Sequence, residues 1–99
     1  MYYNKQGKEI NVGEFDKLLG DEHYKFVKQE TLKNGKFVST VWIGLCHRLG
    51  DDTGSPLIFE TMVFPEEGDW IDLDVKRYST LEEAEKGHKE MVKKWNNIK

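Results

Sequence analysis

Two runs rich in β-favouring residues, Tyr24 to Leu32 and Lys36 to His47, lie on either side of Asn34-Gly35. Both residues of that pair tolerate the positive φ angles of a type I′ turn, so the runs are expected to pair as a β-hairpin. A two-residue turn would place Leu32 opposite Phe37, Lys28 opposite Val41, Phe26 opposite Ile43 and Tyr24 opposite Leu45, on the face expected to form the core. The reverse face would pair Thr31 with Val38, Gln29 with Thr40, Val27 with Trp42 and Lys25 with Gly44. Trp42 would then stand among small and polar neighbours, on a face that is either wet or reserved for a partner.

Tyr2-Tyr3 and Glu9-Ile10 flank a polar stretch containing Gly7, which suits a short hairpin. Asn11 with Glu14 resembles a capping box, and Val12, Phe15, Leu18 and Leu19 recur at helical spacing until Gly20. After a loop from Gly50 to Pro56, the run Leu57 to Phe64 is apolar on both faces apart from Glu60 and Thr61, which predicts a strand covered on both sides. From Trp70 to Tyr78, Ile71, Leu73 and Val75 alternate with Asp72, Asp74 and Lys76, as in a strand with one wet face. Ser79 with Glu82, or Thr80 with Glu83, caps a last helix whose stripe is Leu81, Ala84, His88, Met91, Val92 and Trp95. The expected fold is a single α+β domain over residues 1–99. It is an antiparallel sheet of about four main strands, with a C-terminal amphipathic helix packed on the Phe26, Val41 and Ile43 face and a short N-terminal helix.

A chain of 99 residues supports one core but cannot enclose a large ligand by itself. Its net charge of -3 lacks the basic excess that non-specific nucleic-acid binders use. No stretch reaches the roughly 20 apolar residues of a membrane span, and the start lacks the pattern of a signal peptide, so a cytoplasmic protein is expected. Cys46 is the only cysteine, so packing rather than an internal disulfide must hold the fold.

The sequence contains no phosphate loop, dinucleotide-binding glycine pattern or nucleophile elbow. His23, His47 and His88 are too far apart for a local metal motif, and no cofactor is implied. Cys46 and His47 are strand neighbours that point to opposite faces, so they do not form a nucleophile and base. Asp51 and Asp52 lack the spaced ligands of a calcium loop. His88 reads as a packed histidine with one hydrogen bond. The most unusual cluster is Trp42, Phe59, Glu60 and Thr61 on adjacent strands beside a loop bearing His47 and Arg48. An aromatic platform with a cation, a hydroxyl and a carboxylate can stack a base and hold a phosphate. Pattern alone favours an ordinary mixed sheet face or a dimer contact at those positions. Arg77 and Tyr78, just before the last helix, are suited to an anion or to an edge ion pair.

The segment Val38-Ser39-Thr40-Val41-Trp42-Ile43-Gly44-Leu45, with His47, Gly50 and Pro56-Leu57-Ile58-Phe59-Glu60-Thr61-Met62-Val63-Phe64, resembles a widespread family of small bacteriophage and prophage proteins. The likeness continues through Arg77-Tyr78-Ser79-Thr80, Glu83-Ala84 and Gly87-His88 and covers most of the chain. Cys46 stands where that family tends to carry aspartate, which puts any carboxylate role there in doubt. The resemblance implies a counter-defence protein of the viral sponge kind, a homo-oligomer that sequesters a cyclic oligonucleotide immune signal without cleaving it. Trp42 or Phe59 would stack the bases, and Arg48, Arg77 or His47 would hold the phosphates. The alternative is a protein-interaction inhibitor, a decoy in the manner of an anti-CRISPR that blocks a host defence enzyme. Hydrolysis of such a signal is disfavoured, because neither a nucleophile nor a metal set converges.

Overall fold

The structure, a computed structural model, describes residues 1–45 and 56–97. A small hairpin of β1 (Tyr2–Tyr3) and β2 (Glu9–Ile10) leads into α1 (Val12–Leu19) and the single turn α2 (Glu22–Lys25). Then come β3 (Phe26–Thr31), β4 (Phe37–Trp42), β5 (Phe59–Phe64), β6 (Asp74–Tyr78) and α3 (Leu81–Asn96). The last four strands form one antiparallel sheet in sequential order, and α3 packs across it. No helix of the described residues is long and apolar enough to cross a membrane.

The helix starts follow their local sequence. The Asn11 side chain accepts the Glu14 amide at 2.8 Å, and Thr80 accepts the Glu83 amide at 3.1 Å while donating its hydroxyl to the Glu83 carboxylate at 3.1 Å. Each cap satisfies a backbone donor that a helix start leaves open. The expected stripe of α3 does turn inward, with Ala84, His88 and Met91 buried.

The central hairpin forms in a different register from the one expected. Thr31 pairs with Phe37 and Lys28 with Thr40, while the Leu32 amide reaches the Lys36 carbonyl at 2.7 Å and the Gly35 amide the Leu32 carbonyl at 3.0 Å. Gly35 has φ +89, and among the described residues none other than glycine has a positive φ, so Asn34 does not take the left-handed geometry of a type I′ turn. The loop is instead Lys33-Asn34-Gly35, a type I turn closed by a left-handed glycine. One extra loop residue leaves Leu32 and Lys28 facing the helix but turns β4 over. Val38, Thr40 and Trp42 therefore lie under α3, and Phe37 and Val41 lie outside. An irregularity between Phe26 and Lys28 carries Phe26 to the outer face, where it is 37% exposed, and leaves Val27 against the core. Accordingly, α3 does not pack on the expected face of Phe26, Val41 and Ile43.

Two apolar clusters lie between sheet and helices. One contains Trp42, Ile58, Phe59, Tyr78 and Ala84, ringed by side chains that include Phe15, Leu18 and Tyr24; the other contains Leu32, Val38, Val63 and Met91 beside Trp95. On β5, Phe59, Thr61 and Val63 are buried while Glu60, Met62 and Phe64 are half-buried, so this strand is covered fully on one side only. The strand expected from Trp70 begins at Asp74, and Trp70 and Ile71 lie outside it, 92% and 74% exposed.

Candidate functional site

The residues expected to form a ligand site fall on opposite faces of the sheet. Trp42 has no exposed surface, and its indole N–H donates to the Tyr3 carbonyl at 3.0 Å. Tyr24 meets the ring edge-on at a centroid distance of 5.0 Å, and Phe15 lies 5.7 Å away at a tilt. Phe59 and Thr61 are also fully buried, and Tyr78 nearly so. Neither Trp42 nor Phe59 can stack a base while the core is intact. This corrects the expectation that Trp42 stands away from the core, and the cause is the overturned β4. Glu60 and Arg77, cross-strand partners on the outer face, form an ion pair at 2.9 Å. His47 and Arg48 lie outside the described residues, as do Cys46, Asp51 and Asp52.

Under α3, four side chains form a hydrogen-bonded chain across the strands. Glu30 Oε1 lies 2.8 Å from His88 Nε2, His88 Nδ1 lies 2.6 Å from Thr40 Oγ1, and Thr40 Oγ1 lies 2.6 Å from Thr61 Oγ1. His88, Thr40 and Thr61 are essentially without exposed surface. Burial pushes the His88 pKa below its ordinary value, as does Lys28, against the opposing pull of the Glu30 carboxylate. The imidazole is therefore neutral at neutral pH, and its proton resides on Nε2, where it donates to Glu30. Nδ1 must then accept from Thr40, and Thr40 from Thr61. The Tyr78 hydroxyl lies beyond Thr61, fully buried and without a partner at hydrogen-bonding geometry. Burial raises its pKa, while Thr61 pulls it down and Glu90 and Asp74 push it up.

Carboxylate, imidazole and hydroxyl in this order match the layout of an acid, base and nucleophile. Thr40, however, is sealed beneath α3 with its hydroxyl held on both sides, so no substrate can reach it. The chain satisfies buried polar groups in a core that would otherwise leave them unpaired. Sequence reasoning gave His88 one hydrogen bond, and the structure gives it two. A signal for the network was present, because Thr40 and Thr61 share strand parity with Trp42 and Phe59.

Between β6 and α3 runs an open cleft of about 320 Å³ lined by Asp74, Lys76, Tyr78, Glu90 and Lys94. Its charges are of both signs, and Lys94 is already bound to Asp74 at 2.7 Å, so the cleft has no evident preference for an anion. Among the described residues, no group of three or more histidine, cysteine, aspartate or glutamate side chains is placed to hold a metal ion.

The outer face of the sheet is different in character. Phe26 and Val75 are exposed at 37% and 46%, with Phe37, Val41, Met62 and Phe64 half-buried between them. Polar residues on this face pair with each other, Gln29 with Ser39 at 2.8 Å and Arg77 with Glu60 at 2.9 Å. The link into β6 adds Trp70, Ile71 and Leu73, all exposed. Apolar surface whose interspersed polar groups satisfy one another is characteristic of a contact surface. Compared with protein-family models, curated proteins and solved structures, the chain matches none.

Proposed function

We propose that this chain is a small, non-catalytic binding protein whose working surface is the outer face of the sheet, and that it acts by docking on another protein. Within the counter-defence setting implied by the resemblance to phage proteins, this is the inhibitor or decoy reading. The observation that carries it is the apolar surface of the outer face from Phe26 to Val75, on which the described residues Glu60 and Arg77 neutralise one another. A protein surface of matching shape gains from covering such a face, whereas among its described residues a multiply charged nucleotide meets only Lys25, lying over the Phe26 ring, and Arg77, already tied to Glu60.

Sequestration of a cyclic oligonucleotide loses both stacking platforms, Trp42 and Phe59, to the core. What remains for it is Arg77, tied to Glu60, together with His47 and Arg48 in the segment not described. A thermal-shift panel of cyclic di- and trinucleotides separates the two readings, since a ligand at 100 times its Kd stabilises by about 2.7 kcal/mol. Docking on a protein predicts no shift with any member, and predicts that Val75→Glu abolishes inhibition while leaving the melting temperature close to that of the parent. A reproducible shift with one nucleotide, unaffected by Val75→Glu, would restore the sponge reading and remove this one.

A further inference from the structure

We infer, resting on the docking role proposed for the outer face, that the partner supplies an extended segment that adds to the free edge of β6 as a further strand. Side chains of that segment enter the groove between β6 and α3, an acidic one at the C-terminal end of β6 and an apolar one at the other end.

Among the described residues β6 pairs with β5 alone and ends the sheet. The Tyr78 carbonyl accepts the Ile58 amide at 2.9 Å, so the backbone groups of Tyr78 point at β5. By the alternation of an antiparallel ladder those of Lys76 and Asp74 do the same, and those of Val75 and Arg77 point away from the sheet. The Val75 amide is covered by its neighbour's carboxylate, donating to Asp74 Oδ1 at 2.9 Å. The Arg77 amide and the carbonyls of Val75 and Arg77 lie along the edge, one donor and two acceptors for an incoming strand.

The groove beside this edge has the form such a strand requires. Two cavities, of about 320 and 300 Å³, share Lys76, Tyr78, Gly87 and Glu90 and so adjoin along β6. A strand laid on the edge turns every second side chain toward α3, about 6.7 Å apart, which gives one side chain to each cavity. Toward Asp74 the lining is Val75, Tyr78 and Met91, with Lys94 and Asp74 bound to each other at 2.7 Å, which suits an apolar side chain. The other cavity is lined by Lys76 and Lys86, while the Glu83 carboxylate there accepts the Thr80 hydroxyl at 3.1 Å. The two lysines favour a carboxylate. Read antiparallel to β6, the segment therefore carries an acidic residue and, two positions later, an apolar one. The residue between them stands on the outer face beside Val75, where an apolar side chain continues the docking surface.

A capped peptide, Thr-Thr-Glu-Val-Leu-Thr-Thr, titrated into the nitrogen-labelled protein and followed by amide shifts and hydrogen exchange, tests the inference. The expected result is shifts centred on β6 and the facing side of α3, with slowed exchange of the Arg77 amide. The glutamate peptide should bind about fivefold or more tighter than a version with lysine in its place, and Lys86→Glu, at an exposed position on α3, should shrink that preference. An N-methyl group on the valine, whose amide faces β6, should abolish binding, and one on the leucine, whose amide faces away, should leave most of it. Absence of shifts on β6 at millimolar peptide, equal binding of the glutamate and lysine peptides, a preference unchanged in Lys86→Glu, or equal losses from the two N-methyl groups would overturn strand addition. Val75→Glu is read separately: if it abolishes inhibition while the peptides fail, the outer face keeps its docking role and the β6 edge loses this one.

Discussion

Replacing Trp42 with alanine separates a core tryptophan from a ligand platform by a wide margin. The ring has no exposed surface and packs against Phe15 and Tyr24, while its N–H is held by the Tyr3 carbonyl. Truncating a buried tryptophan to alanine costs about 3–5 kcal/mol, and leaving the Tyr3 carbonyl without its donor adds about 1 kcal/mol. Collapse around the hole recovers little, because the ring also ties the N-terminal hairpin and α1 to the sheet. In a domain of this size a loss of about 4 kcal/mol lowers the melting temperature by about 15–30 °C, and it approaches the whole stability of a marginal fold. Urea titration followed by far-ultraviolet circular dichroism measures it directly. A loss below about 1 kcal/mol would refute the packing described here and return Trp42 to the surface.

Three further outcomes follow from the same geometry. The folded pKa of His88 is depressed, so the unfolded chain binds the extra proton first; stability is full above the unfolded value of 6.5 and falls as pH drops through it, which denaturant titrations across pH 5–8 would register. Asp74 acts in a lower window, because the Lys94 hydrogen bond holds its carboxyl below the usual 3.8; its contribution is present above that value and is lost as pH falls through the folded pKa, and Lys94→Met should flatten the acid limb. Gly87→Ala should destabilise by about 1–3 kcal/mol in thermal melts despite alanine's better helix propensity, because its Cβ meets the rigid Tyr78 ring.

The parts of this fold that depend on neighbours in sequence were legible. Asn11 with Glu14 and Thr80 with Glu83 announce helix starts through contacts three residues apart, and the α3 stripe depends only on spacing. The face of β4 was not legible, because it turns on one residue of loop length at Lys33-Asn34-Gly35, where two turn types fit the same letters. Parity pointed to the wrong face, since Phe37, Val41 and Ile43 are more apolar than Val38, Thr40 and Trp42. The small and polar neighbours of Trp42, Thr40 among them, argued against that side as the core. They are accommodated there because Thr40, Thr61, His88 and Glu30 satisfy one another across three strands and a helix, a relation no single stretch of sequence contains.

The outer face as docking surface is tested most directly by site-specific photo-crosslinking in cells where the protein is active. One probe stands at Val75 on the outer face, and another at Lys89 on the solvent side of α3. The account predicts a discrete protein adduct from Val75, lost when Phe26→Lys is added to the same chain, and none from Lys89. Adducts from Lys89 alone, or from neither position while inhibition persists, would contradict it.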